Sequence, residues 1–194
     1  MNQGAKAHKF ADRSHDLYET PECATLALLR VEALPKRIWE PAAGRGALSR
    51  VLTAHGHEVV AEDLVGYQGR DRDIWTGVDF LEEHQRPKGF DTIVTNPPYK
   101  LADQFVRHGL SLVSTVIVLQ RLMAIEGAGR SDLVDRHLKR VWAGVERLPM
   151  LHRDGWAGRR LNGSGFPFAW FVFSREPRAA DAPIELRRMS WRQS

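Results

Sequence analysis

The chain has 194 residues, 43% of them hydrophobic, with a formal charge of +4 and a sequence pI near 9.5. That is the size of one ordinary domain with a real core, short for two, and too apolar for a disordered chain. A single cysteine, Cys23, excludes an internal disulfide and fits a reducing cytoplasm, and no segment reaches the roughly 18 apolar residues of a membrane-spanning helix.

Residues 1–16 are polar and without periodicity, which predicts a loose arm ahead of a domain over 17–194. Ala24, Leu28, Val31 and Leu34 recur at helical spacing, with Thr20 as the expected N-cap, Pro21 at the first helical position and Glu22 in the first turn. Arg37 to Glu40 reads as a strand and runs into the turn Pro41-Ala42-Ala43-Gly44-Arg45-Gly46. Helical spacing resumes at Leu48, Val51 and Leu52. A second strand, His57 to Ala61, closes on Glu62 and Asp63, and another, Phe90 to Thr95, closes on Asn96.

A helix is expected from Lys100 to Leu112, then a β-branched strand from Val113 to Leu119, buried on both faces. Ser131 to Val141 is read as a helix, and Val145 to Leu151 and Phe166 to Phe173 as two strands joined by an Arg- and Gly-rich loop. Ile184 to Trp191 is a last strand or tail. Strands and helices alternate early and strands gather late. The expected fold is therefore α/β: a single, mostly parallel, doubly wound sheet with an antiparallel C-terminal hairpin.

The turn from Glu40 through Pro41 and Ala42 to Gly44 and Gly46 lies between a strand and a helix. There glycines let backbone approach a ligand and helix N–H groups lie free. Such a G-x-G is also an ordinary tight turn; the carboxylate of Asp63, about twenty residues on, adds an acceptor for the hydroxyls of a ribose. Ser49 stands where a dinucleotide-binding turn has its third small residue, which favours a mononucleoside. Asp79 and Phe80 offer a carboxylate for an adenine amino group and a ring for its face, or else a loop acid followed by a core aromatic.

Asn96-Pro97-Pro98-Tyr99 follows a buried strand, at the sheet edge where open α/β proteins bind substrates. Two prolines remove N–H donors, leaving carbonyl oxygens and the Asn96 amide oxygen to accept from an amine. The Asn96 side chain and the Pro97 carbonyl are matched to the two hydrogens of a conjugated amino group, and Tyr99 to stacking on the base that carries it.

These residues resemble the amino-group methyltransferases of the adenine-N6 type, marked by N/D/S-P-P-Y/F, with the asparagine form present here. Tyr18-Glu19-Thr20-Pro21 is similar to the motif that contacts the methionine part of their cofactor, placing Tyr18, Thr20 and Pro21 with Glu40, Asp63 and Asn96 in one binding site. Leu119-Gln120-Arg121-Leu122, His152 to Trp156 and Phe168 to Phe173 resemble small methyltransferases of phages and prophages. The resemblance implies a Rossmann-like fold, S-adenosylmethionine as cofactor, no metal, and adenine N6 in DNA as acceptor. RNA and, less favoured, protein glutamine are the alternatives. Little chain is left for a separate target-recognition domain, so short or relaxed site specificity is expected.

Arginines outnumber carboxylates from Arg147 to Arg192, which fits either a polyanionic partner or a solvated basic face. His152, Arg153, Trp156, Arg159, Arg160 and Asn162 mix charge, an aromatic and flexible glycines, and are the candidates for touching nucleic acid.

Overall fold

The computed structural model describes residues 17–150, 165–179 and 181–192. Its strands are β1 (Arg37–Glu40), β2 (Glu58–Asp63), β3 (Trp75–Thr76), β4 (Thr92–Thr95), β5 (Thr115–Arg121), β6 (Leu138–Gly144), β7 (Phe168–Ser174) and β8 (Glu185–Met189). They form one sheet in the order β3-β2-β1-β4-β5-β7-β6-β8. β7 pairs antiparallel with both β5 and β6, and every other pairing is parallel. The expected fold class holds; the reversed strand lies inside the sheet, and β8 forms the edge.

Strand residues alternate between two cores, because successive side chains point to opposite faces. Trp39, Ile93, Val116, Val118, Phe171 and Phe173 face one core, with α3 (Ala102–Leu112) and α4 (Ser131–His137) laid over it. Ile38, Val94, Ile117, Leu119, Trp170 and Val172 face the other, under α1 (Glu22–Val31) and α2 (Ala47–Ala54). With both faces covered, the central strands become continuous apolar runs. The Trp170 indole N–H donates to the Ala24 carbonyl at 3.0 Å and ties α1 to β7.

Two expectations fail. Thr20 does not cap α1: the helix begins at Glu22, Pro21 stands in the N-cap position, and no side chain bonds the cap. The segment before it stays extended because the Asn96 Nδ2 donates to the Tyr18 carbonyl at 2.9 Å. Likewise, the helix expected over Ser131 to Val141 ends at His137, and residues 138–144 are β6, whereas 145–150 form no strand. Val141 and Trp142 pair across to Phe171 and Trp170. Arg140 is held there by Glu32 and Glu185. Tertiary pairing overrides local propensity there.

Candidate functional site

Three parallel strands end side by side and deliver Glu40, Asp63 and Asn96 to one edge of the sheet. The turn between β1 and α2 needs its glycines: Gly44 and Gly46 have φ of 59° and 90°, the left-handed region. A Cβ on Gly44 would lie 2.8 Å from Leu17 Cδ1, and one on Gly46 would collide with the Asp71 carboxylate. Asp63 organises this turn, accepting from the Gly44 N–H through Oδ2 and from the Val65 N–H through Oδ1, both at 2.8 Å.

A cavity of about 360 Å³ opens beside the turn, within the roughly 300–1,000 Å³ usual for small-molecule sites. Of the residues singled out in the sequence for a cofactor, Tyr18, Thr20, Glu40, Pro41, Ala42 and Gly44 line it, as do Asp63, Asp79, Phe80 and Asn96. Pro98 also reaches it, while Pro21, Gly46, Pro97 and Tyr99 do not line it. Pro21 and Gly46 stand at the N-caps of α1 and α2. The Asp79 carboxylate accepts from the Leu81 N–H at 3.0 Å, and Phe80 is a core ring, 5.2 Å edge-on to Trp39 and 4.8 Å from Phe105.

Two buried oxygens here have no hydrogen-bond partner: Glu40 Oε2 and Asn96 Oδ1. Orphan acceptors are rare in native structures and mark places where a donor is missing. The Tyr18 carbonyl takes the Nδ2 of Asn96 and so orients the amide, leaving its oxygen as the acceptor. Burial, reinforced by the nearby Asp63 charge, raises the Glu40 carboxyl well above its ordinary range; hydrogen bonds from Ser49 and the Arg50 charge oppose the shift. Folded Glu40 therefore keeps a proton that the unfolded chain releases above its usual value near 4.5. Stability falls as pH rises from there toward the raised value. Glu40→Gln is expected to flatten that decline, with melting temperatures from about pH 5 to 8 as the check.

Tyr99 packs 5.3 Å from Tyr18 and 6.0 Å from Phe168, with the Arg121 guanidinium 5.1 Å over its ring. The loop after β2 was missed in the sequence. It brings Leu64, Val65 and the buried Tyr67 into the cavity wall. Arg45 Nε donates to the Gln68 carbonyl at 2.9 Å, and Arg50 pairs with Asp71 at 2.8 Å, fastening this loop over the glycine turn. The available signal was a lone aromatic in the polar run Gly66 to Asp73, flanked by charges complementary to Arg45 and Arg50.

His152, Arg153, Trp156, Arg159, Arg160 and Asn162 lie outside the described residues. The return from that loop reaches the same sheet edge as Asn96, since the Leu122 N–H, just after β5, donates to the Pro167 carbonyl at 2.8 Å. Among the described residues no cluster of ligating side chains fits a metal, and no helix is long and apolar enough to cross a membrane.

No family profile and no curated protein matches the chain. Solved structures do. A protein of Pyrococcus horikoshii named as a candidate RNA methyltransferase is 17% identical over 89% of this chain and 92% of its own, with a TM-score of 0.58. The 23S rRNA methyltransferase ErmE is 16% identical over 86% and 72%, with a TM-score of 0.53. A dimethyladenosine transferase from Plasmodium falciparum is 15% identical over 84% and 63%, with a TM-score of 0.52. At such identities the likeness is one of architecture, and together with the strand order it gives the chain the Rossmann-like α/β fold of the class I methyltransferases.

Proposed function

We propose that this protein is an S-adenosylmethionine-dependent methyltransferase acting on the N6 amino group of adenine in DNA. The observation that carries the reading is the buried, unpartnered Asn96 Oδ1 on the cavity wall, its amide oriented by Tyr18. The cavity residues fit the cofactor. Glu40 Oε2 has no partner and, once its carboxyl gives up the proton, accepts from an ammonium group, and the Asp63 carboxylate at the end of the neighbouring strand suits ribose hydroxyls. Tyr18 and Thr20 are assigned to its methionine end, with Pro21 behind them at the start of α1, and Asp79, with the Phe80 ring edge, to its adenine.

S-adenosylmethionine supplies a methyl group on a sulfonium, already activated for in-line displacement. What the chain contributes is position and polarity. Asn96 Oδ1 and the Pro97 carbonyl accept the two amino hydrogens and draw the nitrogen lone pair out of conjugation with the ring. Held in this way, the amino nitrogen would be free to take the methyl group in exchange for the sulfonium, and the proton it shed would leave by these two acceptors to water. Tyr99 walls the base, which requires that the base be swung out of a duplex.

RNA is the second reading, favoured by the names of the rRNA methyltransferase and the dimethyladenosine transferase that share the fold. For either polymer, Arg153, Arg159 and Arg160 are assigned to phosphates, with His152, Trp156 and Asn162 beside them. We assign residues 17–194 to one catalytic domain with a short or relaxed target site. The test is to incubate the protein and cofactor with duplex DNA, single-stranded DNA and RNA, and to identify methylated nucleosides by mass spectrometry. N6-methyladenine in DNA is the expected product; its appearance in RNA alone moves the reading to RNA, and its absence from all three overturns it.

A further inference from the structure

Arg121 ends β5 and faces the start of β7, where it is registered against Phe168. Its guanidinium carbon lies 4.3 Å from the centroid of the Phe166 ring and 5.1 Å from that of Tyr99. The guanidinium thus lies over two rings, Phe166 and Tyr99, and Tyr99 in turn packs against Tyr18. The last of them fixes Asn96 through its carbonyl. Phe166 is 46% exposed, so the outer end of this stack meets solvent.

An arginine stacked on aromatic faces keeps its N–H edge free in the plane of the layer. Arg121 has such an edge to offer, for its Nε is buried and has no hydrogen-bond partner. Arginine carries donors only and stays charged at any working pH. A flat molecule entering beside the guanidinium meets a donor edge, while Asn96, which opens the turn that carries Tyr99, presents an acceptor. That pairing matches an amino group adjoining a ring nitrogen with a lone pair.

We infer that Arg121 reads the acceptor base, donating from its guanidinium to a ring nitrogen that flanks the amino group held by Asn96. The inference rests on the nucleic-acid reading above and deepens it. Adenine offers two such nitrogens, N1 and N7. Guanine offers such a nitrogen only at N3, because its N1 carries a hydrogen and would set donor against donor. The same contact distinguishes a planar amidine edge from a phosphate, which would take the charge of Arg121 without regard to the base.

The experiment is a cycle between protein and substrate, using the full chain with DNA oligonucleotides in which the target adenine is replaced by 1-deazaadenine or 7-deazaadenine. For the wild type, kcat/KM is expected to fall about tenfold or more with one of the two analogues. Arg121→Met is expected to start lower on adenine and to lose nothing further with that analogue, because the contact is already gone. Arg121→Lys keeps the charge without the stacked plane and should behave as Arg121→Met does, which covers the case where the methionine variant does not fold. A purely structural Arg121 would leave both enzymes equally sensitive to the analogue, and that result overturns the inference. So does a wild type indifferent to both analogues, or a variant that weakens every substrate uniformly while reducing the salt dependence of binding, the signature of a phosphate contact. If the wild type methylates no adenine in DNA or RNA, the proposed function itself fails and takes this assignment with it; normal methylation of adenine with failure of the cycle removes Arg121 alone.

Discussion

Asn96→Ala is expected to lower single-turnover methyl transfer by roughly 10²–10³-fold, the range for removing one preorganised polar contact to a reacting group, while cofactor affinity stays within about threefold. The asymmetry follows from geometry. Asn96 borders the cavity but gives its Nδ2 to Tyr18, so the group left for the acceptor is the buried Oδ1. Alanine removes that oxygen and also frees the Tyr18 carbonyl. Asn96→Asp separates the two losses: an acceptor oxygen remains, but a second oxygen now opposes the Tyr18 carbonyl. Partial turnover with weakened cofactor binding is expected of it. Transfer by Asn96→Ala at the native rate would remove Asn96 from the chemistry.

Asp63→Ala should act on the other side of the reaction. The carboxylate takes two backbone N–H groups, from Gly44 and Val65, and is itself buried. Hydrogen bonds to charged groups contribute about 1.5–3 kcal/mol each. Losing them loosens the glycine turn together with the start of the loop that carries Tyr67, and removes the ribose acceptor. Calorimetric titration should show cofactor affinity reduced by about 100-fold or more, and melting should occur several degrees lower, at about 2–4 °C per kcal/mol for a domain of this size. Asp63→Asn preserves the shape but turns one acceptor into a donor, so it should keep only part of the affinity. An unchanged dissociation constant in Asp63→Ala would exclude the ribose contact.

The parts of this site that were legible in the sequence are those whose cause is local. A β-branched or aromatic run closing on an acid or an amide reads directly as a strand that delivers a polar group, and β1, β2 and β4 do this at Glu40, Asp63 and Asn96. Gly44 and Gly46 announce a left-handed backbone because few other residues adopt it. What escaped depends on partners far along the chain. Residues 138–141 read as the last turn of the helix expected from Ser131. Arg140 is in fact clasped by Glu32, 108 residues before it, and by Glu185, 45 after it. Thr20 looks like a cap until the Asn96 amide, which pairs with Tyr18, draws the preceding segment toward the sheet. Tyr67 has no periodic neighbours; its place is set by Arg45 and Arg50 on a different element.

The reversed strand sets an order of assembly. β7 is flanked on both sides, by β5 and by β6, which both precede it in the chain. During synthesis these two strands leave the ribosome with the gap between them unfilled, each presenting a row of unmatched N–H and C=O groups. Closure waits for Phe168 to Ser174, whose apolar side chains serve both cores at once. A nascent chain halted before that point holds two sticky borders, whereas one released a few residues later seals them in a single insertion. β7 thus acts as a keystone for a sheet whose cavity-bearing half was made first.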